Sequence, residues 1–408
     1  MKPGRNLSDL LNENKSQILR YLIHHKGISR IDLSTAVGLK PASITKIVQQ
    51  LLDQGLIIET GFSEGAKGRR SINLSFNYSH YYILAIKLNW NRLKIDLLDF
   101  QGISQKEEFS MSFDMLTINH MDNIIDLIAE KANSIIEKYS NIIAVGVSSF
   151  GPYSYSNGSI VFMDSKTNAP KSYPFKQTLQ RKLPLPVFVE LDAIAGALSY
   201  WWFRFNCDLS QRLMHIFAGE GIGGGFVING QPLSHFLGNA FEFGHIIIDM
   251  NGEQCKYGCT GCLETFCDLP SFLNHIREVL PAHPDSLLTT QKDTFTIYDL
   301  LDATHMGDAF AISMLEDWGR YLGCGIASIL PLFSPDIIII SDIMIGGGQC
   351  LLEAIEHSMH FYQHCCYRSP KLIFADPQDD LVLLGAATVA IDKVLSDPNR
   401  YFPSGSEP

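Results

Sequence analysis

Near the start of the chain the apolar positions fall on helical spacing in three places. Over residues 14–25 they recur at Ile18, Leu19, Leu22 and Ile23, which is one face of a helix. Gly27 stops that run. Ser29 is placed to cap a second helix over Arg30–Val37, with Gly38 just past its end. Pro41 suits the first turn of a third helix that ends near Gly55. Its inward stripe is Ile44, Ile47, Val48 and Leu51, and off the stripe stand Ser43, Thr45, Lys46, Gln49 and Gln50. Lys40 is an irregularity, because it stands where a Ser or Thr cap is the rule.

Residues 56–59 and 71–74 then read as two short strands around a Gly-rich basic hairpin, residues 61–68. Three helices and such a hairpin predict a winged helix-turn-helix. In that arrangement the third helix enters the major groove, where hydroxyl, amide and Lys side chains reach base edges and phosphates. Lys67, Arg69 and Arg70 on the wing are placed for phosphates or the minor groove. The competing reading is a small helical domain that binds protein. Charge favours DNA. Residues 1–78 carry 11 Lys and Arg against 6 Asp and Glu, while the whole chain has a net charge of −11. A basic module is thus attached to an acidic body, and only the module is attracted to phosphate.

From residue 81 the texture becomes α/β. Strands are expected at 81–90 and 92–100, then a helix at 121–139, strands at 142–150 and 185–190, and a helix at 193–203. A second series begins at Leu213, with a strand, the glycines Gly219, Gly221 and Gly223 to Gly225, and a strand at 226–230. Helices at 269–280 and 309–332, a strand at 336–341 and a helix at 384–395 complete it. Two α/β lobes around a cleft is the simplest architecture. The expected division is a winged head at 1–78, a first lobe at 79–190 completed by a helix at 384–396, a second lobe at 191–383, and a tail at 397–408. No apolar run approaches the roughly 18 residues that cross a bilayer, and the N-terminus has no apolar leader core. A cytoplasmic protein without a membrane partner is expected. Nine Cys, an odd number, argue for reduced thiols rather than a disulfide framework.

Several segments carry a resemblance. GPYSYSNGSIVF, ELDAIAGAL, GEGIGGGFVINGQ and FEFGH followed by CKYGCTGCLE resemble, in order, the signature segments of the ROK family of repressors, open reading frames and sugar kinases. LKPASITKIVQQLLDQGLI resembles the recognition helix of its NagC/Mlc-like regulator branch. The resemblance spans nearly the whole chain and implies an actin/hexokinase-like pair of lobes behind the winged head. It implies a regulator of carbohydrate-use genes that binds a DNA operator, responds to a sugar or sugar phosphate in the interlobe cleft, and acts as a homodimer or dimer of dimers. Two further readings stay open: an ATP-dependent sugar kinase with an attached DNA-binding domain, and a regulator controlled by a protein partner.

The family's D-x-G-G-T phosphate hairpin falls on residues 87–91. Lys87 takes the Asp position, Asn89 and Trp90 the two Gly positions, and Asn91 the Thr position. Backbone must approach phosphate there, and an indole prevents it, so no kinase activity is expected. The second ATP-side segment also loses its glycines, at Ser341 and Asp342. Four of the five polar sugar positions remain, as Asp192, Glu242, His245 and Glu264, while Leu191 replaces the Asn. The resemblance further implies a structural zinc at the Cys-rich loop. His245, Cys255, Cys259 and Cys262 supply the four N/S ligands that zinc prefers. The family's middle Cys falls on Tyr257, so Cys259 is expected to take its place, the alternative being free thiols. Cys267, and His364 with Cys365 and Cys366, are expected to be packing or surface residues.

Overall fold

The winged head forms as its pattern predicts, and the computed structural model shows what holds each piece. It describes residues 7–402, apart from 65–69, 114–120, 165–168, 205–207, 209, 220, 239–241, 292–293 and 364–367. Helix α1 is Leu7–His24, α2 is Arg30–Val37 and α3 is Pro41–Asp53. Strands β1 (Ile28–Ser29), β2 (Ile57–Glu64) and β3 (Arg70–Phe76) form an antiparallel sheet in the order β1, β3, β2. Ser29 caps α2 by accepting the Asp32 N–H at 3.2 Å, and its own hydroxyl donates to the Asp32 carboxylate at 2.6 Å. Lys40 gives α3 no side-chain cap. Pro41 compensates in part, because it has no N–H to leave unsatisfied at the first helical position. Ile44, Ile47, Val48 and Leu51 are buried with Ile18, Leu19 and Leu22 of α1 and Leu33 of α2.

Helix α1 begins two turns earlier than its apolar stripe predicts. The extra turns are held by tertiary partners at the other end of the chain. Asn12 Nδ2 donates to Asp397 at 2.7 Å, and Lys15 Nζ donates to Asn399 at 2.9 Å. One turn on, Arg20 pairs with Asp392 at 2.7 Å. Residues 397–402, expected as tail, therefore belong to the structure. They form the short helix Pro398–Tyr401 and bury Phe402 to 1% exposure.

The chain divides into two units. The first holds residues 1–149, 174–190 and 386–408, and the second holds 150–173 and 191–385. Residues 150–173 thus fall with the second unit, not with the first lobe as the linear pattern suggested. They form a small sheet of Tyr153–Ser154, Ser159–Asp164 and Ala169–Tyr173.

Behind the head, the first unit is built on a five-stranded sheet. Its order is Val187–Leu191, Ile142–Ser149, Tyr82–Leu88, Arg92–Leu98 and Phe109–Ser112. Tyr82–Leu88 runs parallel to Ile142–Ser149 and antiparallel to Arg92–Leu98. The helix Met121–Lys138 buries Ile124, Ile125 and Ile128.

The second unit repeats the plan with Gln231–Pro232, Ile222–Ile228, Leu213–Ala218, Ile337–Ser341 and Lys371–Phe374. Its core centres on Trp318 of the long helix Ala309–Phe333. The strand expected from residue 226 already starts at Ile222 and runs through the glycines, which pair with Leu213–Ala218. Among the described residues no helix is long and apolar enough to cross a membrane.

Candidate functional site

Two regions carry candidate chemistry. On α3, Ser43, Thr45, Lys46 and Gln49 are exposed, as a reading face requires. Thr45 Oγ1 donates back to the Pro41 carbonyl, and Gln49 donates to Asp53 at 2.8 Å, so both are oriented by their own helix. Gln50 differs. It is half-buried and its Oε1 is buried without a partner, so it faces inward more than the pattern implied. Lys67 and Arg69 lie outside the described residues, as does the side chain of Arg70.

The second region is the stretch 242–268. Glu242 precedes the tight turn Phe243–His245, whose His245 N–H closes on the Glu242 carbonyl at 3.0 Å. The chain then pairs with itself. Ile248 N–H donates to the Gly261 carbonyl at 2.9 Å, and Leu263 N–H donates to the Ile246 carbonyl at 2.8 Å. Gly261 is required here. Its φ is +73°, and a Cβ would stand 1.5 Å from the Asp249 carbonyl oxygen. This pairing returns Cys262 and Glu264 to His245. One ring nitrogen of His245 and the Sγ atoms of Cys255 and Cys262 all lie within 4.8 Å of one another. Cys255 and Cys262 are buried, and His245 Nδ1 is buried with no hydrogen-bond partner. A buried imidazole with an unpartnered nitrogen, gathered with two thiols, fits a borderline-soft cation such as zinc. Burial, then Cys255, pushes the Cys262 thiol up to about 12. Metal binding would release such protons.

Cys259 does not join this group. It is exposed, and the reason lies in the backbone. Cys255 N–H donates to the Cys259 carbonyl at 2.7 Å, and Gly258 N–H donates to the Cys255 carbonyl at 2.8 Å. That turn spends the close approach of 255 and 259 on main-chain bonds. Cys267 is fully buried in the core of the second unit, as its position predicted. Residues 364–366 lie outside the described residues.

The carboxylates gather at the same turn. Glu264 is 7% exposed and pairs with Lys256 Nζ at 3.0 Å. Its carboxylate lies against Gly221 and Gly244. Glu242 is exposed to solvent, yet its carboxyl end is crowded by protein. Desolvation raises its pKa, Glu264 adds to the rise and Lys256 opposes it. Burial lowers the pKa of His245. Tyr257 stands edge-on to His245, with ring centroids 5.1 Å apart. Burial, then Glu264 and Glu242, pushes its phenol above the usual range, so it stays neutral. Sequence reasoning missed Lys256, and read Tyr257 only as the place of a lost ligand. Their placement between two Cys was the available signal.

Asp192 enters from another element, at the start of the helix Asp192–Phe203. That helix rests on the glycine strand, where a Cβ on Gly225 would stand 2.1 Å from the Ala193 carbonyl oxygen. The glycine run is therefore a packing surface for the Asp192 helix on one stretch and, at Gly221, a neighbour of Glu264. His215, also missed, fastens this junction. It is fully buried, with Nδ1 2.9 Å from the Ala193 carbonyl and Nε2 2.6 Å from the Ser341 hydroxyl. A carbonyl only accepts, so Nδ1 carries the proton and Ser341 donates to Nε2.

The turn at residues 87–91 closes without glycine, with Asn89 N–H donating to the Arg92 carbonyl at 2.8 Å. Trp90 sits in it half-buried. Asp342 follows Ser341 at φ +61°, a left-handed position that glycine would occupy without strain.

A winged helix-turn-helix head on two α/β units of the actin/hexokinase-like kind defines a DNA-binding transcriptional regulator. The chain belongs to the ROK family, whose model matches residues 103–393, and a winged helix-turn-helix DNA-binding model matches residues 11–58. It is 26% identical over 396 residues to a putative xylose repressor of Caldicellulosiruptor sp. (strain Rt8B.4), covering 95% of this chain and 97% of the relative. It is 26% identical over 381 residues to the DNA-binding transcriptional dual regulator NagC of Escherichia coli (strain K12), covering 93% and 92%. Among solved structures it resembles a ROK family transcriptional regulator described as a homolog of the E. coli MLC protein. That match has a TM-score of 0.80 and 27% identity and covers 95% of this chain and 97% of the other.

Proposed function

We propose that this regulator represses carbohydrate-use genes and that a sugar or sugar phosphate sets its hold on the operator. The effector would bind in the second unit, with Asp192, Glu242, His245 and Glu264 as partners for ring hydroxyls. The observation that carries the reading is the gathering of Glu242, His245 and Glu264 at one turn, in a chain that begins with a winged head. Relatives named as xylose and N-acetylglucosamine repressors support the substrate class. Leu191 lies against Gly151 and offers a ring hydroxyl nothing, so a less hydroxylated sugar such as a pentose suits the site. Regulation requires the sugar to favour one arrangement of the protein over another. A homodimer would place two heads on two half-sites.

On α3, Ser43, Thr45, Lys46 and Gln49 would contact the operator, with the wing residues Lys67, Arg69 and Arg70 on phosphates. Zinc would be held by His245, Cys255 and Cys262, and would tie the two ends of the Cys-rich loop together. Phosphoryl transfer is not part of this reading. The turn at 87–91 carries Trp90 where backbone must meet phosphate, and Ser341 is engaged inward with His215.

The test is thermal unfolding of the full-length protein with xylose, N-acetylglucosamine, glucose and their phosphates. A ligand at a hundredfold excess over its Kd adds about 2.7 kcal/mol, and that shift should vanish in Glu242→Ala. No shift with any sugar would overturn the effector assignment and favour control by a protein partner. ATP-dependent turnover of any of these sugars would restore the kinase reading.

A further inference from the structure

The donor set at the Cys-rich loop is one short of a closed tetrahedron. Structural zinc sites use four protein ligands, whereas sites with three keep a position for an exchangeable one. We propose that the metal held by His245, Cys255 and Cys262 keeps its fourth position for water, making this an open and labile site. The inference rests on the zinc assignment above and goes beyond it.

Each nearby group that would close the shell is turned to solvent or engaged elsewhere. Cys259 is exposed, and the turn that carries it is fixed without any metal. Gly258 reverses the chain at φ +88°, the Cys255 N–H holds the Cys259 carbonyl at 2.7 Å, and Gln254 Nε2 holds the Gly258 carbonyl at 2.9 Å. These bonds hold the Cys259 backbone in a turn that leaves its side chain exposed. Tyr257 packs its ring edge-on against His245, and a phenol is a poor partner for a site built from thiolates. Glu264 is paired with Lys256 at 3.0 Å. What remains is a position that solvent can fill. An open shell makes the metal easier to remove than a four-ligand site does, and accessible to small anions. Occupancy of the loop next to Glu242 and Glu264 then depends on free metal concentration.

Cobalt substitution of the full-length protein tests this. Thiolate-to-cobalt charge-transfer absorption scales with the number of bound thiolates. Cys259→Ser, a change at an exposed position, should leave that intensity unchanged, while Cys255→Ser should lower it by about half. Azide should shift the cobalt ligand-field bands by entering the open position. If Cys259→Ser instead removes about a third of the intensity and azide is silent, the site is closed by three thiolates. The open position is then refuted while the zinc assignment stands. If the protein takes up neither cobalt nor zinc, both fall together. Should Cys255→Ser fail to fold, the Cys259→Ser spectrum and the azide response decide by themselves.

Discussion

The reading head and the Cys-rich turn are both small, and both present polar groups on a backbone frame, yet they are built in opposite ways. In the head, function follows from local period. Four buried residues of α3 fix which others are outside, and Ser29 and Gly38 fix where α2 begins and ends. At the Cys-rich turn, the candidate donor atoms come from 245, 255 and 262, and what assembles them is a chain reversal that needs glycine at 261. Side-chain period says which face a residue takes on a helix. It says nothing of which cysteine an irregular loop turns inward.

The strongest way to break this contrast is to open the head's core. Ile47 is 1% exposed, and Ile47→Ala should cost about 2–5 kcal/mol in transfer and cavity terms. Denaturant unfolding followed by circular dichroism should show the loss, and operator affinity in a gel shift should fall with it, while metal uptake at the turn stays at the wild-type level. A drop in metal uptake would show that the two regions do not fail separately. The mirror experiment is Gly261→Ala. Its positive φ alone costs on the order of 1–3 kcal/mol, and the Asp249 carbonyl leaves no room for a Cβ. Metal uptake should be lost, with the head's helix content unchanged.

A smaller effect tests the reading face rather than its scaffold. Lys46→Ala should weaken operator binding about tenfold and flatten its salt dependence by about one unit of slope, as loss of one phosphate contact does. Gln50→Ala should matter less, because its amide oxygen is already buried. Equal effects at the two positions would place Gln50 on the DNA side after all.

Legibility follows the same division. The strands and helices that runs and periods predicted in the two α/β units stand close to their expected places, because each is set by its own residues, whereas Phe175–Lys182, Ile297–His305, Gly348–Tyr362 and Lys371–Phe374 went unread. Apart from Cys259 and Gln50, the misreadings concern partners far off in sequence. Residues 397–402 looked like tail because Asp397 and Asn399 have their partners at Asn12 and Lys15. Residues 150–173 looked contiguous with the first lobe because nothing local marks where the chain crosses between units. That Glu242, His245 and Glu264 come together was legible through resemblance. Lys256 and His215 were not, since one is a loop cation and the other a lone His within a strand.

His24 gives the head a pH dependence of its own. Burial, with His25 and Arg20 adding, pulls its pKa down to about 4. Between the ordinary His value near 6.5 and 4, the unfolded chain takes up a proton that the folded head refuses. Stability conferred by the neutral form is therefore lost as pH falls through that window. His24→Gln should flatten the fall in unfolding midpoint between pH 6.5 and 4. An unchanged slope would assign that acid sensitivity to other groups.

The smallest expected effect concerns the seam that sequence pattern could not see. Arg20 meets the Asp392 carboxylate at 2.7 Å and the Asp392 carbonyl at 3.0 Å. Both side chains are about a third exposed, at 32% and 28%, so solvent screens the ion pair and its worth is about 0.2–1 kcal/mol. Asp392→Asn keeps the carbonyl bond and should cost less than Arg20→Ala, which loses both. A double-mutant cycle on unfolding free energy should give a coupling within that range, reduced at high salt. No coupling would leave the Arg20 bond to the Asp392 carbonyl, together with the Asn12–Asp397, Asn12–Asn399 and Lys15–Asn399 bonds, to tie α1 to the C-terminal helices. In either outcome, the head's attachment is measured separately from its own fold.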